Sequence, residues 1–324
     1  MSRTNDLTNP IFTDLDAARA HFEAIRWPAG PYCPYCGQFS SVAKLGGNSM
    51  GPGWYHCRDC RRKFTAAVGT IYERSHIPLT TWFLATHLMC SSKKGMSAHQ
   101  LSRMLGLPYK TAWFLGHRIR EGMREINPAP MGGEGKTVEA DETFIGGREK
   151  NKHAYQRNAG NIGGTGKEAV FSLVERGGKV RSRHVAGVSA ANLKPVLTEQ
   201  LDRASNLMTD GEGQYRVLGP MFTRHDTVNH SIGEYVRGDA HTNTVEGYFS
   251  ILKRGIMGVY HHVSETHLKR YLGEFDFRYN ERSALGVEDV ERATKAVKGV
   301  VGKHLTYKKT SWRTERSRFP LRLS

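Results

Sequence analysis

Three acidic residues stand where metal-dependent chemistry on a phosphodiester would need them. Asp141 lies in the stretch VEADETF, Asp210 ends the apolar stretch NLMTD, and Glu246 lies in HTNTVEGYF. Displacement at phosphorus uses divalent cations held by several carboxylates, one at the attacking oxygen and one at the leaving oxygen. Alternation in VEADETF places Val138 and Ala140 on one strand face and Asp141 on the other. These acids therefore predict a site for Mg²⁺ or Mn²⁺.

Glu246 has a basic residue, Lys253, at helical spacing, and it also fits an alternative role in a helix cap. Lys253 follows it by seven residues, and seven helical steps of about 100° return to nearly the same face, where a cation could hold DNA phosphate. Asn243 stands three residues before Glu246. With Asn243 as N-cap the two would form a capping box, a role that needs no metal. Four nearby acids rank lower, as surface or supporting groups: Asp226, Glu139, Glu142 and Glu212.

Four of the five cysteines form two CxxC pairs. Cys33 and Cys36 lie in CPYC, and Cys57 and Cys60 lie in CRDC after an interval of 20 residues. Four thiolates bind Zn²⁺ tetrahedrally and leave no open position, so the pattern predicts a structural zinc ribbon; a redox pair is the alternative. Basic residues around the second pair are predicted to contact DNA phosphate, or else to form a solvated charged face. They are Arg58, Arg61, Arg62 and Lys63.

Two helical stretches beyond the ribbon resemble a helix-turn-helix. The first has an apolar stripe of Leu101, Met104 and Leu105, and the two would meet around residues 106–108. Side chains in the first turn of the second helix can reach base edges in the major groove. The candidates are Tyr109, Lys110 and Thr111. Any compact helical hairpin shows such stripes, but the basic ribbon beside it favours DNA reading.

The composition favours a polyanionic partner. Lys and Arg number 47 against 31 Asp and Glu, which gives a net charge of +16, and the pI is about 9.7. No apolar run reaches the roughly 18 residues of a membrane span, and MSRTNDLTNP lacks the order of a signal peptide. The sequence therefore predicts a cytoplasmic protein, in the bacterial cytosol or nucleoid, with no membrane partner. Basic residues in 146–167 and 259–275 are expected to follow phosphates, or simply to be solvated.

The elements that must position these residues divide the chain into six segments. Helical spacing behind Thr13 and Asp14 predicts a helix over 13–27. Strands are predicted at 137–145, 169–176, 179–188 and 206–210, with a helix at 191–202 and a helical region from about 242 to 278, an order typical of an α/β domain. The segments are an N-terminal helix (1–28), a zinc ribbon (29–75), a helix-turn-helix region (76–126), a linker (127–136), a catalytic domain (137–285) and a basic C-terminal extension (286–324).

Several motifs together resemble one family across nearly the whole chain. VEADETFIGGREKNKH, LMTDGEGQY and HTNTVEGYFSILKRGIMG, with the CxxC pairs ahead of them, resemble insertion-sequence transposases of the ISXO2-like, zinc-ribbon class. The resemblance implies an RNase-H-like catalytic domain whose DDE triad is Asp141, Asp210 and Glu246, accompanied by Lys253. Members of the class can show Asn as the third ligand, so Asn243 is the alternative to Glu246. A carboxylate is preferred because it offsets metal charge.

The sequence thus predicts a DNA transposase that binds terminal inverted repeats and catalyses metal-dependent cleavage and strand transfer. Its expected partner is double-stranded DNA, both transposon ends and target, and pairing two ends implies a homodimer or larger assembly on DNA. The alternative is a non-catalytic zinc-ribbon DNA-binding regulator derived from a transposase. Retention of all three acids and Lys253 favours the enzyme. An RNase-H-type nuclease would share the chemistry but leaves the ribbon and helix-turn-helix unexplained.

Overall fold

The computed structural model describes residues 7–46, 50–147 and 166–306. Two compact units divide the chain: the ribbon unit comprises the chain through Ser92, Ala98–Arg124 and the chain from Glu288, and the sheet unit comprises Lys93–Ser97 and Glu125–Val287. No helix in the described ranges is long and apolar enough to cross a bilayer. The helices are α1 (Leu15–Arg26), α2 (Leu79–Ser91), α3 (Ala98–Leu105), α4 (Tyr109–Met123), α5 (Ala190–Gln200), α6 (Gly213–Leu218), α7 (Asn243–Gly255), α8 (Glu265–Asn280) and α9 (Asp289–Lys298). The strands are β1 (Val42–Lys44), β2 (Trp54–Cys57), β3 (Lys63–Thr65), β4 (Thr137–Ile145), β5 (Glu168–Glu175), β6 (Val180–Val185), β7 (Asn206–Asp210) and β8 (Arg224–Val228).

The ribbon unit begins with the predicted helix and cap. The Asp14 carboxylate accepts hydrogen bonds from Asp16 N (2.7 Å) and Ala17 N (3.2 Å), which satisfies two N–H groups of the first turn of α1. The buried face of α1 brings Phe22 edge-on against Tyr72, with ring centroids 5.1 Å apart. Beside this helix, β1, β2 and β3 form a small antiparallel sheet. The predicted helix over 13–27 is confirmed.

Helices α3 and α4 are joined by three residues, 106–108, as the sequence predicts. The apolar stripe on α3 is narrower than expected, because Leu101 is buried but Met104 is 52% exposed. Helix α4 is buried on a broader face that includes Ala112, Leu115 and Ile119. The first turn of α4 therefore remains accessible while its later turns belong to the core.

The C-terminal region differs from the predicted extension over 286–324. Residues 289–298 form α9, which packs against α1, α2 and α4 in the ribbon unit. Arg292 is buried on this helix, donates to Cys90 O (3.0 Å) and pairs with Asp289 (2.5 Å). Its long aliphatic stem and paired head allow a basic segment to contribute to a core. Residues 307–324 lie outside the described part of the chain.

The sheet unit contains a mixed five-stranded sheet with the order β6-β5-β4-β7-β8. Strands β4, β5 and β6 are antiparallel neighbours, whereas β7 is parallel to β4 and β8 is parallel to β7. The predicted strands and α5 are confirmed, so the α/β class is confirmed as well. Strand β8 (RHDTV) and the short α6 were not predicted from the sequence. In β8 only Val228 is buried, so an edge strand of this composition carries almost no alternating signal.

Two apolar cores cover the two faces of this sheet. Alternation along β4 separates them, with Val138 and Ala140 in the first core and Ile145 in the second. The first core packs β4 and β5 against α5 and α6, through Phe171, Leu173, Leu193, Leu197, Leu207, Tyr215 and Leu218. The second packs β5 and β6 against α7 and α8, through Val170, Val174, Val180, Val245, Leu252, Leu268, Leu272 and Phe275. The sheet unit is therefore an α/β/α sandwich.

The segment predicted as a linker, 127–136, is partly built into the sheet unit. Met131 is 6% exposed, joins the first core, and its N–H donates to Gln200 O (2.8 Å). Gly132 and Gly133 adopt left-handed backbone (φ 86° and 115°), which a glycine tolerates and other residues do not. Pro and Gly in the sequence thus indicate an irregular path here and not an independent tether.

Candidate carboxylate site and zinc centre

Asp141 and Asp210 lie on adjacent parallel strands, β4 and β7. The pairing of these strands ends with Glu139 opposite Met208, and continuing its register by two residues would place Asp141 opposite Asp210. Paired residues of a parallel ladder project to the same face. Both side chains are half-buried. The Asp141 Oδ1 accepts a hydrogen bond from Glu142 N (2.7 Å), and Asp210 Oδ1 accepts one from Glu212 N (3.3 Å).

Glu246 lies in the first turn of α7, the helix that packs on β4. Its side chain is 47% exposed, Oε1 accepts a hydrogen bond from Thr242 Oγ1 (3.3 Å), and the same oxygen lies 3.9 Å from His230 Nε2. Asn243 is the first residue of α7 and is exposed. Lys253 is exposed two turns beyond Glu246, where helical geometry aligns the two side chains.

The three predicted acids belong to one electrostatic cluster. Burial, with the charges of Asp210, Glu142 and Glu246 acting in the same direction, raises the pKa of Asp141 to about 7. A hydrogen bond from Glu142 N acts in the opposite direction. Burial also raises the pKa of Asp210. Negative charge is therefore concentrated at this end of the sheet, and a bound cation would offset it.

The donor set fits hard divalent cations. In residues 7–46, 50–147 and 166–306, the groups with three or more donor atoms all within 4.8 Å are the four ribbon cysteines and the trio of Glu168, His184 and Glu265. In the latter, Glu168 Oε2 lies 2.7 Å from His184 Nε2, so a direct hydrogen bond explains the closeness of these two residues. The carboxylates on β4, β7 and α7 are not among these groups. Their oxygen atoms are nevertheless the ligands that hard divalent cations prefer.

Glu142, which the sequence ranked lower, also borders the cluster. Burial, with the charge of Asp210 acting in the same direction, raises its pKa to about 7. Gln214 Nε2 donates to Glu142 Oε1 (3.3 Å), which ties it to α6 on the other face of the sheet. Its position directly after Asp141 was the available signal. By contrast, Asp226 pairs with Arg224 (2.6 Å), and Glu212 is an exposed N-cap of α6.

The capping-box interpretation of Glu246 is wrong. The N-cap of α7 is Thr242, not Asn243, and its side chain makes no capping hydrogen bond. The first turn is capped by Glu139 of β4, which accepts from Thr244 N (2.7 Å) and Val245 N (3.0 Å). Glu246 is therefore free of that structural role. The partners lie 105 residues apart in the chain, so no local pattern could have revealed this cap.

The four ribbon cysteines form a compact thiolate cluster. Cys33 Sγ lies 3.5 Å from Cys60 Sγ, and Cys36 Sγ lies 3.6 Å from Cys57 Sγ. Tetrahedral zinc with Zn–S bonds of about 2.3 Å requires sulfur atoms roughly 3.8 Å apart. All four sulfur atoms lie within 4.8 Å of one another. The geometry fits a structural zinc ion, in agreement with the sequence.

The predicted DNA-contacting residues lie on the surface of the ribbon unit. Arg58, Arg61, Arg62 and Lys63 are exposed, and Arg62 lies over the ring of Tyr35 (4.7 Å). In the first turn of α4, Tyr109 and Lys110 are exposed and Thr111 is half-buried. Tyr109 stacks on His99 of α3 with ring centroids 4.2 Å apart. Of the predicted phosphate-tracking loop 146–167, residues 148–165 lie outside the described residues.

Four thiolates at zinc-site spacing and an acid-rich α/β unit define a two-part zinc-ribbon protein. Comparison with known families is more specific: residues 132–280 match the ISXO2-like transposase domain, and residues 14–63 match the transposase zinc-ribbon domain. A protein of Halobacterium salinarum described as an uncharacterized protein in transposable element ISH50 is 32% identical over 287 residues, which cover 83% of this chain and 92% of that protein. The chain belongs to the ISXO2-like transposase family.

Proposed function

We propose that this chain is a DNA transposase that binds the terminal inverted repeats of an insertion sequence and catalyses metal-dependent cleavage and strand transfer. The observation that carries the proposal is that Asp141 and Asp210 lie on adjacent parallel strands, next to the helix that bears Glu246. Family membership supports it. A regulator that had lost the chemistry would have no need of this cluster of acids.

The strand order supports an RNase-H-like fold for the sheet unit. Three antiparallel strands are followed by two parallel ones, and helices cover both faces. The first acid lies on the first strand of this sheet, the second ends the fourth strand, and the third lies on the helix after the fifth strand. This is the arrangement that a DDE triad requires, because three elements distant in sequence must bring their carboxylates together.

Asp141, Asp210 and Glu246 would hold Mg²⁺ or Mn²⁺, with Asn243 as the alternative to Glu246. When bound, such cations stabilise the charge that develops on the attacking and leaving oxygens of the phosphodiester. Strands β4 and β7 hold two of the carboxylates on rigid elements, and α7 holds the third. Lys253, on the Glu246 side of α7, would contact a DNA phosphate as a positive point charge.

The ribbon unit would supply DNA recognition. The exposed first turn of α4, with Tyr109, Lys110 and Thr111, would enter the major groove as the second helix of a helix-turn-helix. The cations at Arg58, Arg61, Arg62 and Lys63 would contact phosphates. We propose that 137–285 performs the chemistry, that 127–136 belongs with it, and that 288–306 belongs with the ribbon unit. Bringing two transposon ends together requires at least a dimer on DNA.

The test is cleavage and joining of labelled double-stranded DNA that carries the element's terminal repeat, with purified full-length protein and Mg²⁺. Asp141→Asn is expected to reduce cleavage on the order of 1000-fold, because several kcal/mol of charge stabilisation would be lost. Glu199→Gln is the matched control, since Glu199 is an exposed acid of α5 (69%) and should leave the rate unchanged. Full activity in Asp141→Asn would refute the assignment. Parallel assays of Glu246→Gln and Asn243→Ala identify the third ligand by the larger loss.

A further inference from the structure

A carboxylate that the proposed chemistry does not use is enclosed beneath α7. Glu139 lies on β4 two residues before Asp141, on the same face of the strand, and is 0% exposed. A charged group in such a place is costly unless it is paired and hydrogen-bonded. Its partners therefore indicate what it holds in place.

The first set of partners is the start of α7. Glu139 Oε2 accepts hydrogen bonds from Thr244 N (2.7 Å) and Val245 N (3.0 Å), and Oε1 accepts one from Thr244 Oγ1 (2.8 Å). A helix leaves the N–H groups of its first turn without partners inside the helix, and an N-cap side chain normally accepts from them. Thr242, at the N-cap of α7, does not do so. The strand thus provides the cap that the helix lacks.

The second partner is Arg176, directly after β5. Its Nε donates to Glu139 Oε1 (2.7 Å), while Nη1 donates to Asp239 O (2.8 Å) and Nη2 to His241 O (2.9 Å). One guanidinium therefore joins the buried carboxylate to the backbone that leads into α7. His241 Nδ1 also lies 3.1 Å from Glu139 Oε1. Several hydrogen bonds therefore connect β4 to the N-terminal end of α7 and to the backbone before it.

These contacts bear on Glu246, which has few of its own. Within the described part of the chain, its half-exposed side chain has a hydrogen bond from Thr242 and lies 3.9 Å from His230, so its location follows from where α7 begins. We propose that Glu139, together with Arg176, is a positioning residue that sets the start of α7 so that Glu246 faces Asp141 for cation binding. The inference rests on the proposed function, because it assumes that these two carboxylates share the cations.

A merely structural role would predict a different result from a positioning role. If Glu139 only stabilises the sheet unit, its loss should lower stability as any other link between helix and sheet does. Asn280 of α8 offers a matched comparison: its Oδ1 accepts from Val180 N (2.7 Å) and its Nδ2 donates to Val180 O (2.9 Å), joining helix to β6 away from α7. Asn280→Ala should lower stability without changing cation affinity.

The experiment measures Mn²⁺ binding to the full-length, zinc-loaded protein by electron paramagnetic resonance, and the Mn²⁺ dependence of DNA cleavage alongside it. Glu139→Gln keeps the size of the side chain but loses its charge and one acceptor. We expect its Mn²⁺ dissociation constant to rise by about 10-fold or more, as for other residues that orient metal ligands. Asn280→Ala should retain the wild-type constant, and both are compared by thermal unfolding.

A second variant covers the case in which Glu139→Gln does not fold. Arg176→Lys keeps the charge beside Glu139 but loses the planar guanidinium whose three nitrogen atoms each reach a different acceptor, and Arg176 is partly exposed (23%). It should also weaken Mn²⁺ binding. The inference is overturned if a folded Glu139→Gln or Arg176→Lys variant binds Mn²⁺ as tightly as the wild type. It is also overturned if Asn280→Ala loses as much Mn²⁺ affinity as these variants do. If the Asp141→Asn variant binds Mn²⁺ as tightly as the wild type, the proposed function itself is refuted, and the inference that rests on it is refuted too.

Discussion

The surroundings of Asp276 on α8 predict the direction and the size of a pH effect on the free energy of unfolding. Its Oδ2 accepts a hydrogen bond from Ser182 N (2.8 Å), and Oδ1 accepts from Ser182 Oγ (2.8 Å) and Tyr248 OH (2.7 Å). Tyr248 belongs to α7, so this carboxyl joins β6, α7 and α8. Burial raises its pKa from 3.8 to about 6, against the effect of these hydrogen bonds.

The raised pKa makes the sheet unit less stable as the pH rises. In the unfolded chain the carboxyl loses its proton near pH 4, whereas in the folded protein it keeps the proton until about pH 6. Its contribution is therefore complete below about pH 4 and is lost between about pH 4 and pH 6. A shift of about 2 units at about 1.4 kcal/mol per unit corresponds to up to about 3 kcal/mol of unfolding free energy.

Asp276→Asn should remove this dependence, because the amide resembles the neutral carboxyl and does not ionise. The assay is urea unfolding, monitored by hydrogen exchange in peptides from Val180–Val185 and Glu265–Asn280. Wild type and variant are compared at the same pH. Intrinsic exchange rates and any effect of pH on the ribbon unit are then the same for both proteins and cancel in the difference. The variant should become the more stable protein, relative to wild type, as the pH rises from about 4 to 7.

Asp239→Asn is a control at a residue whose contribution to stability changes with pH in the opposite direction. Hydrogen bonds from Arg224 lower the pKa of Asp239, so its contribution is present above the unfolded pKa and is lost as the pH falls. Parallel stability curves for wild type and Asp276→Asn from pH 4 to 7 would refute the reasoning. They would mean that the carboxyl titrates alike in the folded and unfolded chains.

Two further predictions concern the ribbon unit. Cys57→Ser should lose the bound zinc and unfold the ribbon, because metal binding contributes folding energy; mass spectrometry of zinc content and circular dichroism check this. Cys90→Ser, at a cysteine outside the cluster, should keep the metal, and retained zinc in Cys57→Ser would contradict the assignment. Arg58→Ala should weaken DNA binding similarly across sequences and reduce the salt slope by about 1, measured by fluorescence anisotropy. Lys298→Ala, exposed at the end of α9, should change neither, and an unaltered slope in Arg58→Ala would argue against phosphate contact.

Several features of the fold and site follow from short stretches of sequence. The CxxC pairs predict the thiolate cluster, because each pair brings two sulfur atoms together within one turn of chain. Alternation in VEADETF predicts that Val138 and Ala140 face the core opposite Asp141. Asp14 predicts where α1 begins. Each of these depends on residues that are close in the chain, so the local pattern carries the information.

Features with weak or misleading local patterns were missed or misjudged. Strand β8 buries only Val228, so nothing in RHDTV alternates. The basic composition of 286–324 hides α9, whose Arg292 is buried through its contacts with Cys90 and Asp289. Met131 lies in a stretch rich in Pro and Gly, yet it joins a core formed by residues far from it in sequence.

Three acidic residues illustrate what the sequence alone determines and what only the tertiary structure decides. The sequence by itself identifies Asp141, Asp210 and Glu246 as candidates, through strand ends, helical spacing and family motifs. Only the tertiary structure decides that Glu246 has no capping role and that Glu139, buried below it, caps α7 instead. The reason is physical: a cap is satisfied by whichever acceptor lies nearest in space, and here that acceptor is 105 residues away along the chain.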